Sequence, residues 1–258
     1  MLMLVLGEFM ELKLEVIKMG KRYCAFDVGH GGKDSGATNG KRYEKDDVLK
    51  LACAVEDYIE KVTGNEVDCQ KSRTTDKYLS LEERSQWQKR HPEYEFFVSF
   101  HRDSYKDKNS HGSHVCVYLN CNKKSKSYKL AECVAKRLNP IMKGRSEGIT
   151  FNDYHVLRET SCPAILIECG FISNTNDNKI FDSKFNEIVK AIGDGIIEYA
   201  NFKRVNNQTK PKPQKPSNNK KVLYRVVTNT YENKENAINE QKKLKDKGID
   251  SFIVAIEK

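Results

Sequence analysis

The chain has 258 residues, 38% of them apolar, and a formal charge of +9, which allows one sizeable domain with its own core plus a smaller unit. It holds no apolar run near the ~18–20 residues of a membrane helix, which excludes membrane insertion as an expectation. The charge is uneven: residues 1–200 carry +1, residues 201–220 carry +6 without an acid, and residues 221–258 carry +2. A basic excess in a linker, with a nearly neutral main domain, argues against a nucleic-acid binder.

Residues 1–20 read as an N-terminal extension of uncertain role. Met1–Leu6 is apolar, but no basic segment precedes it and Glu8, Glu11 and Glu15 follow, so it does not read as a secretory signal. Residues 21–28 read as a strand, followed by Gly29-His30-Gly31-Gly32-Lys33-Asp34-Ser35-Gly36, a loop whose glycines permit positive φ and close backbone approach. A metal or an anion would fit such a loop. Glu44 to Val62 reads as a helix, since Val48, Leu51, Ala52, Val55, Tyr58, Ile59 and Val62 recur at three- and four-residue spacing, and Gly64 is its stop. A strand over 66–71 comes next. Ser80 and Glu83 stand at capping-box spacing at the head of a helix reaching about His91.

Phe96–Phe100 reads as a buried strand that delivers His101, and 112–119 as another. An amphipathic helix from Ser125 ends near Pro140, and 148–152 and 155–157 are short extended pieces. Pro163–Ile167 is a strongly apolar strand that delivers Glu168, and two helices, over 176–181 and 184–202, close the domain. Alternating strands and helices predict an α/β fold over 21–202, a single twisted, mostly parallel sheet flanked by helices. Residues 203–220 are a basic, Pro- and Asn-rich linker. Residues 221–258 form one small β-α-β unit, too short for an independent core, which points to a homodimer through residues 222–258. The eight cysteines contain no CxxC pair and read as buried reduced thiols.

His30, His101 and Glu168 share one placement, each directly after an apolar strand, and Glu44 heads the first helix on the same side. In an open α/β sheet, ligands gather beyond the carboxyl ends of the strands. Two histidines and a carboxylate are the ligand set of a catalytic zinc, and a second carboxylate nearby is the general base. Singly each signal is weak: a lone strand-end histidine is usually a hydrogen-bonded loop residue, and Glu44 suits any helix start.

Five stretches sharpen this: DVGHGGKDSGA (27–37), YEKDDVLKLA (43–52), SRTTDKYLSLEER (72–84), VSFHRDS (98–104) and VLRETSCPAILIECGFISNTND (156–177). In order and spacing they resemble the zinc-dependent N-acetylmuramoyl-L-alanine amidases of the amidase-3 family, over nearly all of residues 22–200. The resemblance implies Zn2+ held by His30, Glu44 and His101, with Glu168 as the catalytic carboxylate. It implies peptidoglycan as substrate, cut between N-acetylmuramic acid and L-alanine. Val28 and Arg102-Asp103 depart from the family pattern, and Arg102 stands where it would bear on which stem peptides fit. Arg73 and Arg158 either position substrate carboxylates or form structural ion pairs. His111 and His114 read as solvated loop or strand-edge residues, and Cys169 as packing. Residues 221–258 resemble half of a sporulation-related, SPOR-like wall-binding domain, on the strength of VLYRVVTNTYENKENA (222–237). A wall amidase made in the cytoplasm without a signal implies release by a holin, as for a phage endolysin, or by mother-cell lysis, as for a sporulation autolysin. The rival readings are a zinc peptidase or deacylase on another wall amide and a non-catalytic wall-binding protein.

Overall fold

The computed structural model describes residues 21–143 and 148–205, with residues 238–239 in a helix. The chain divides into two compact units, Met1–Asn206 and Asn207–Lys258. The expected N-terminal extension, most of the linker over 203–220 and nearly all of the unit over 221–258, with its dimer surface, lie outside the described residues.

In chain order the first unit runs β1 (Arg22–Val28), β2 (Thr38–Asn39), β3 (Arg42–Tyr43), α1 (Glu44–Thr63), β4 (Val67–Lys71), α2 (Leu81–Lys89), β5 (Tyr94–Asp103) and β6 (His114–Tyr118). It continues with α3 (Lys126–Met142), β7 (Ile149–Asn152), α4 (His155–Arg158), β8 (Ala164–Phe171), α5 (Thr175–Ser183) and α6 (Phe185–Ala200). Six strands form one sheet in the order β4-β1-β5-β8-β6-β7, while β2 and β3 pair as a separate ribbon. Within the six-stranded sheet neighbours are parallel except β6 and β8, which are antiparallel. This is the mostly parallel, helix-flanked α/β sheet that the alternation of elements predicts.

The period of two along each strand sorts the core into two unequal layers. Cys24, Phe26 and Val28 of β1, Phe96, Val98 and Phe100 of β5, and Ile165 and Ile167 of β8 pack with the buried sides of α1, α3 and α6 in the large cluster. The alternate positions, Ala25, Phe97 and Leu166, meet Val156 and Leu157 of α4, with Trp87 of α2, in a small cluster. That second face is thinly covered. Asp27, Ser99, His101 and Glu168 fall on it by the same alternation, so polar side chains can reach solvent there without breaching the main core.

The helix boundaries follow their local signals. Val48, Leu51, Ala52, Val55 and Ile59 of α1 are buried, and Gly64 ends it with φ 67°. Ser80 and Glu83 close a reciprocal capping box on α2. Three expectations differ. The third helix does not stop at Leu138, ahead of Pro140, but runs through the proline to Met142. The N–H that proline lacks falls in the last turn, and full burial of Met142 offsets its loss. Residues 155–157 are not extended but form α4, because a helical turn lets Val156 and Leu157 both face the sheet, whereas a strand would send one away. Finally, β5 and β8 run on to Asp103 and Phe171, so His101 and Glu168 lie inside strands and not after them. The backbone ladder continues past the apolar run because pairing does not require apolar side chains.

Candidate active site

The site begins where β1 ends. His30 adopts φ 57°, a conformation that non-glycine residues rarely hold unless their surroundings enforce it. Two arginines do so. Arg84 donates to the carbonyls of Val28 (2.6 Å) and His30 (2.7 Å). Arg73 donates to those of Val28 (3.1 Å) and Gly29 (2.7 Å). The charge of Arg84 is balanced by Asp27, fully buried at 2.7 Å. Asp27 also accepts from Ser72 and Ser99. Burial opposes its ionisation, but the Arg84 charge and the hydrogen bonds from Ser99 and Arg84 together hold the carboxyl below its ordinary range.

Glu44 sits between the two histidines. Its Oε1 lies 3.0 Å from His30 Nε2 and 2.9 Å from His101 Nδ1, and it accepts from the Arg102 amide at 3.0 Å. Oε2 accepts from the Ala37 amide at 2.8 Å. Burial again opposes the charge, but both histidines outweigh it and keep the carboxyl well below its ordinary range. One potential ligand atom from each of His30, Glu44 and His101 lies within 4.8 Å of the others. Two imidazole nitrogens and one carboxylate oxygen at that separation suit zinc with an open position. On the far side of His30, Nδ1 faces Asp34 Oδ2 at 2.9 Å, which directs Nε2 to the centre of the cluster. Two glycines are needed for this approach. A Cβ on Gly29 would lie 2.4 Å from His101 Cε1, and one on Gly36 would lie 2.6 Å from both Glu44 Oε2 and His30 Cδ2.

Beside the cluster, His30, His101 and Glu168 line a cleft of about 270 Å³ on the thinly covered face. Glu168 is only 8% exposed, and its Oε2 is buried without a hydrogen-bond partner among the described residues. Burial pushes its carboxyl well above the ordinary range, and the charges of Glu44 and Asp103 add to the shift. A buried carboxyl with an unsatisfied oxygen beside a potential cation site is where a water or substrate atom would be held. The donor set and this orphaned oxygen both fit a metal.

The other candidates are placed differently. Arg102, one residue after His101, points to the opposite face, where it pairs with Asp47 and lies 4.3 Å over the Phe181 ring. The expected bearing on stem-peptide fit is therefore corrected: its side chain does not reach the cleft, because successive strand residues alternate faces. Arg73 holds loop carbonyls, and Arg158 pairs with Asp153 and Glu159 at the surface, so both are structural. Cys169 is fully buried on the large-core face, and burial pushes its thiol to about 12. His114 is not solvated: it is buried on β6, 3.6 Å from Asp103. Asp27, Arg84 and Asp34 were not foreseen, although all three fall inside the quoted sequence stretches. His155, also unforeseen, lines the cleft with Nε2 3.2 Å from Ser85 Oγ.

Comparison with known proteins follows this geometry. The N-acetylmuramoyl-L-alanine amidase family profile matches residues 25–198, and the SPOR domain profile matches residues 200–255. The second match begins ahead of the stretch read as a linker. The relative named "Probable cell wall amidase LytH" of Staphylococcus epidermidis is 34% identical over 182 residues, 67% of this chain and 56% of the relative. The chain thus spans about half the length of the curated relatives it matches. The catalytic domain of CwlV, an N-acetylmuramoyl-L-alanine amidase from Bacillus (Paenibacillus) polymyxa var. colistinus, superposes with a TM-score of 0.64 at 32% identity, over 70% of this chain and 99% of that one. An N-acetylmuramoyl-L-alanine amidase from Clostridium difficile 630 gives 0.64 at 30% identity, over 71% and 99%.

Proposed function

Because the chain belongs to the N-acetylmuramoyl-L-alanine amidase family, we propose that it hydrolyses the amide between N-acetylmuramic acid and the L-alanine of the peptidoglycan stem, with His30, Glu44 and His101 holding Zn2+ and Glu168 as catalytic residue. The observation that carries this reading is the buried Oε2 of Glu168, unpartnered among the described residues, beside the His30–Glu44–His101 cluster. Zinc bound there would supply Lewis-acid polarisation of the scissile carbonyl and a lower pKa for water at the site.

The remaining steps belong to the protein. Asp34 fixes the His30 ring so that Nε2 is the free donor. Glu44 is set by the Ala37 and Arg102 amides before any ligand arrives. Glu168 takes the proton of the attacking water at its carboxylate and passes it to the alanine nitrogen as the amide breaks. A cation among the donor set would favour its ionised form, against the rise that burial causes. The thin face leaves the cleft open to a polymer, while the large core on the other face keeps the site rigid.

The SPOR match supports wall binding by residues 200–255, with a homodimer through residues 222–258 as the proposed way of completing a single β-α-β unit. Light scattering of the full chain at tens of micromolar tests the dimer; a monomer there rejects it. The central test is the mass spectrum of digested, purified peptidoglycan. Peptides beginning with L-alanine and muramic acid freed of its stem are expected, and neither with a chelator present. New amino groups on internal stem residues would reject the reading in favour of a peptidase.

A further inference from the structure

The cleft that His30, His101 and Glu168 line is also bounded by Tyr78, from the segment leading into α2, by Leu81, the first residue of α2, and by Tyr154 at the N-cap position of α4. These side chains are 38%, 58% and 39% exposed, far more than the core, although each is large and apolar. Tyr78 is held against the glycine loop: a Cβ on Gly32 would lie 2.8 Å from its amide nitrogen. Its ring carries Lys33 Nζ at 4.5 Å. Burial, with the charges of Cys116, Glu168 and Asp103, pushes the Tyr154 hydroxyl up to about 12. The rim therefore comes from two chain segments, one running into α2 and one at the head of α4, that line the same cleft as the reacting groups.

The charges of the cleft narrow what this rim can take. Its lining carboxylates are Asp27, Asp34 and Glu168, and among the described lining residues Arg84 alone carries a fixed positive charge. That guanidinium is engaged by Asp27 and by the carbonyls of Val28, His30 and Leu79. Lys33, whose Nζ lies over the Tyr78 ring, is not itself among the lining residues, and a lining with three carboxylates favours a neutral group over the carboxylates of a stem peptide. The muramoyl side of the substrate is neutral when its lactyl carboxyl is tied up as the amide, and a pyranose presents C–H faces edged with hydroxyls. Such a ring suits exposed aromatic faces with phenol hydroxyls at their margins.

We propose that Tyr78, Leu81 and Tyr154 form the subsite for the sugar ring of the muramoyl group, so that the enzyme selects the glycan side of the scissile amide as well as the bond. This rests on the amidase reading above. It makes the three side chains specificity-determining and leaves the chemistry to the metal-site residues and Glu168.

Two soluble substrates share the scissile bond: an N-acetylmuramoyl tripeptide, and the D-lactyl tripeptide that lacks the sugar. For Tyr154→Ala, Tyr78→Ala and the surface variant Leu81→Ser, kcat/KM on the sugar-bearing substrate is expected to fall roughly five- to tenfold, mostly through KM. On the lactyl peptide it should stay within about twofold, and Tyr154→Phe, which keeps the ring, should stay near wild type on both. Inhibition by free N-acetylmuramic acid should weaken about as much as KM does. An equal loss on both substrates would overturn the subsite, because the rim would then support the site generally. An unchanged inhibition constant in all three variants would overturn it as well. Failure of the wild type to cut either substrate would instead reject the amidase reading on which it rests.

Discussion

Glu168 stands directly opposite His101 in the parallel register of β8 and β5, on the face where both side chains meet the cleft. The pairing fixes a carboxyl beside a histidine of the proposed zinc site through the backbone ladder. Glu168→Gln keeps the shape and removes the proton acceptor. Wall lysis should fall by roughly 10²–10⁴, the usual range for a lost general base, with the melting temperature and zinc content unchanged. Lysis at the wild-type rate would remove Glu168 from the mechanism.

Zinc should stabilise the catalytic domain, and more strongly as pH rises. Burial lowers the proton affinity of His30, but Glu44 and Asp34 outweigh it and leave the imidazole with a raised pKa in the ion-free state. A raised histidine contributes stability below its unfolded value of about 6.5 and loses it as pH climbs through the folded value. Metal must displace that proton, so binding strengthens over the same window. At a free concentration of 100 Kd the gain is about 2.7 kcal/mol. Melting curves with zinc and with chelator should therefore separate further at pH 8 than at pH 5.5. An equal or smaller gap at pH 8 would contradict His30 as a ligand.

Asp34 acts one step behind that ligand. Its bond to Nδ1 selects the His30 tautomer that presents Nε2, so Asp34→Ala leaves the ligands in place but the ring less well oriented. Zinc affinity should drop roughly 10–100-fold, with activity recovering as zinc is added. A competitive-chelator titration that finds the wild-type affinity would show that the contact is incidental.

Much of this was legible in the sequence because it depends on local pattern. The spacing of Val48, Leu51, Val55 and Ile59 gave α1, and the apolar runs before His101 and Glu168 gave two central strands. What was not legible depends on pairs far apart in sequence. Asp27 and Arg84 are separated by 57 positions, and nothing in either neighbourhood announces the bond. The turn of Arg102 away from the cleft and into the buried face needed the strand to continue beyond its apolar part, which hydropathy does not report. The solvated reading of His114 failed for a related reason: the strand over 112–119 shows in the local pattern, but its place inside the sheet, between β8 and β7, depends on pairing with distant strands.

The same long-range pair gives the prediction with the largest effect on stability. Arg84→Met removes the charge that balances Asp27 and two donors to the loop bearing His30. Breaking a buried pair from one side typically costs about 3–5 kcal/mol, because the remaining charge is stranded. For a domain of this size that is a fall of roughly 6–20 °C in Tm. The pH dependence separates this cause from a simple packing loss. In the wild type the Asp27 carboxyl is held below its ordinary value, so its stabilisation is full above about 3.9 and is lost as pH falls through the folded value. In the variant, burial without a partner pushes the same carboxyl upward, and acid then relieves the stranded charge. Urea unfolding at pH 7 and pH 4.5 should show the deficit of the variant shrinking at the lower pH, and Asp27→Asn added to Arg84→Met should recover part of it at pH 7. A deficit that is the same at both pH values, with no recovery in the double variant, would mean that Arg84 supports the loop only through its packing and its backbone contacts.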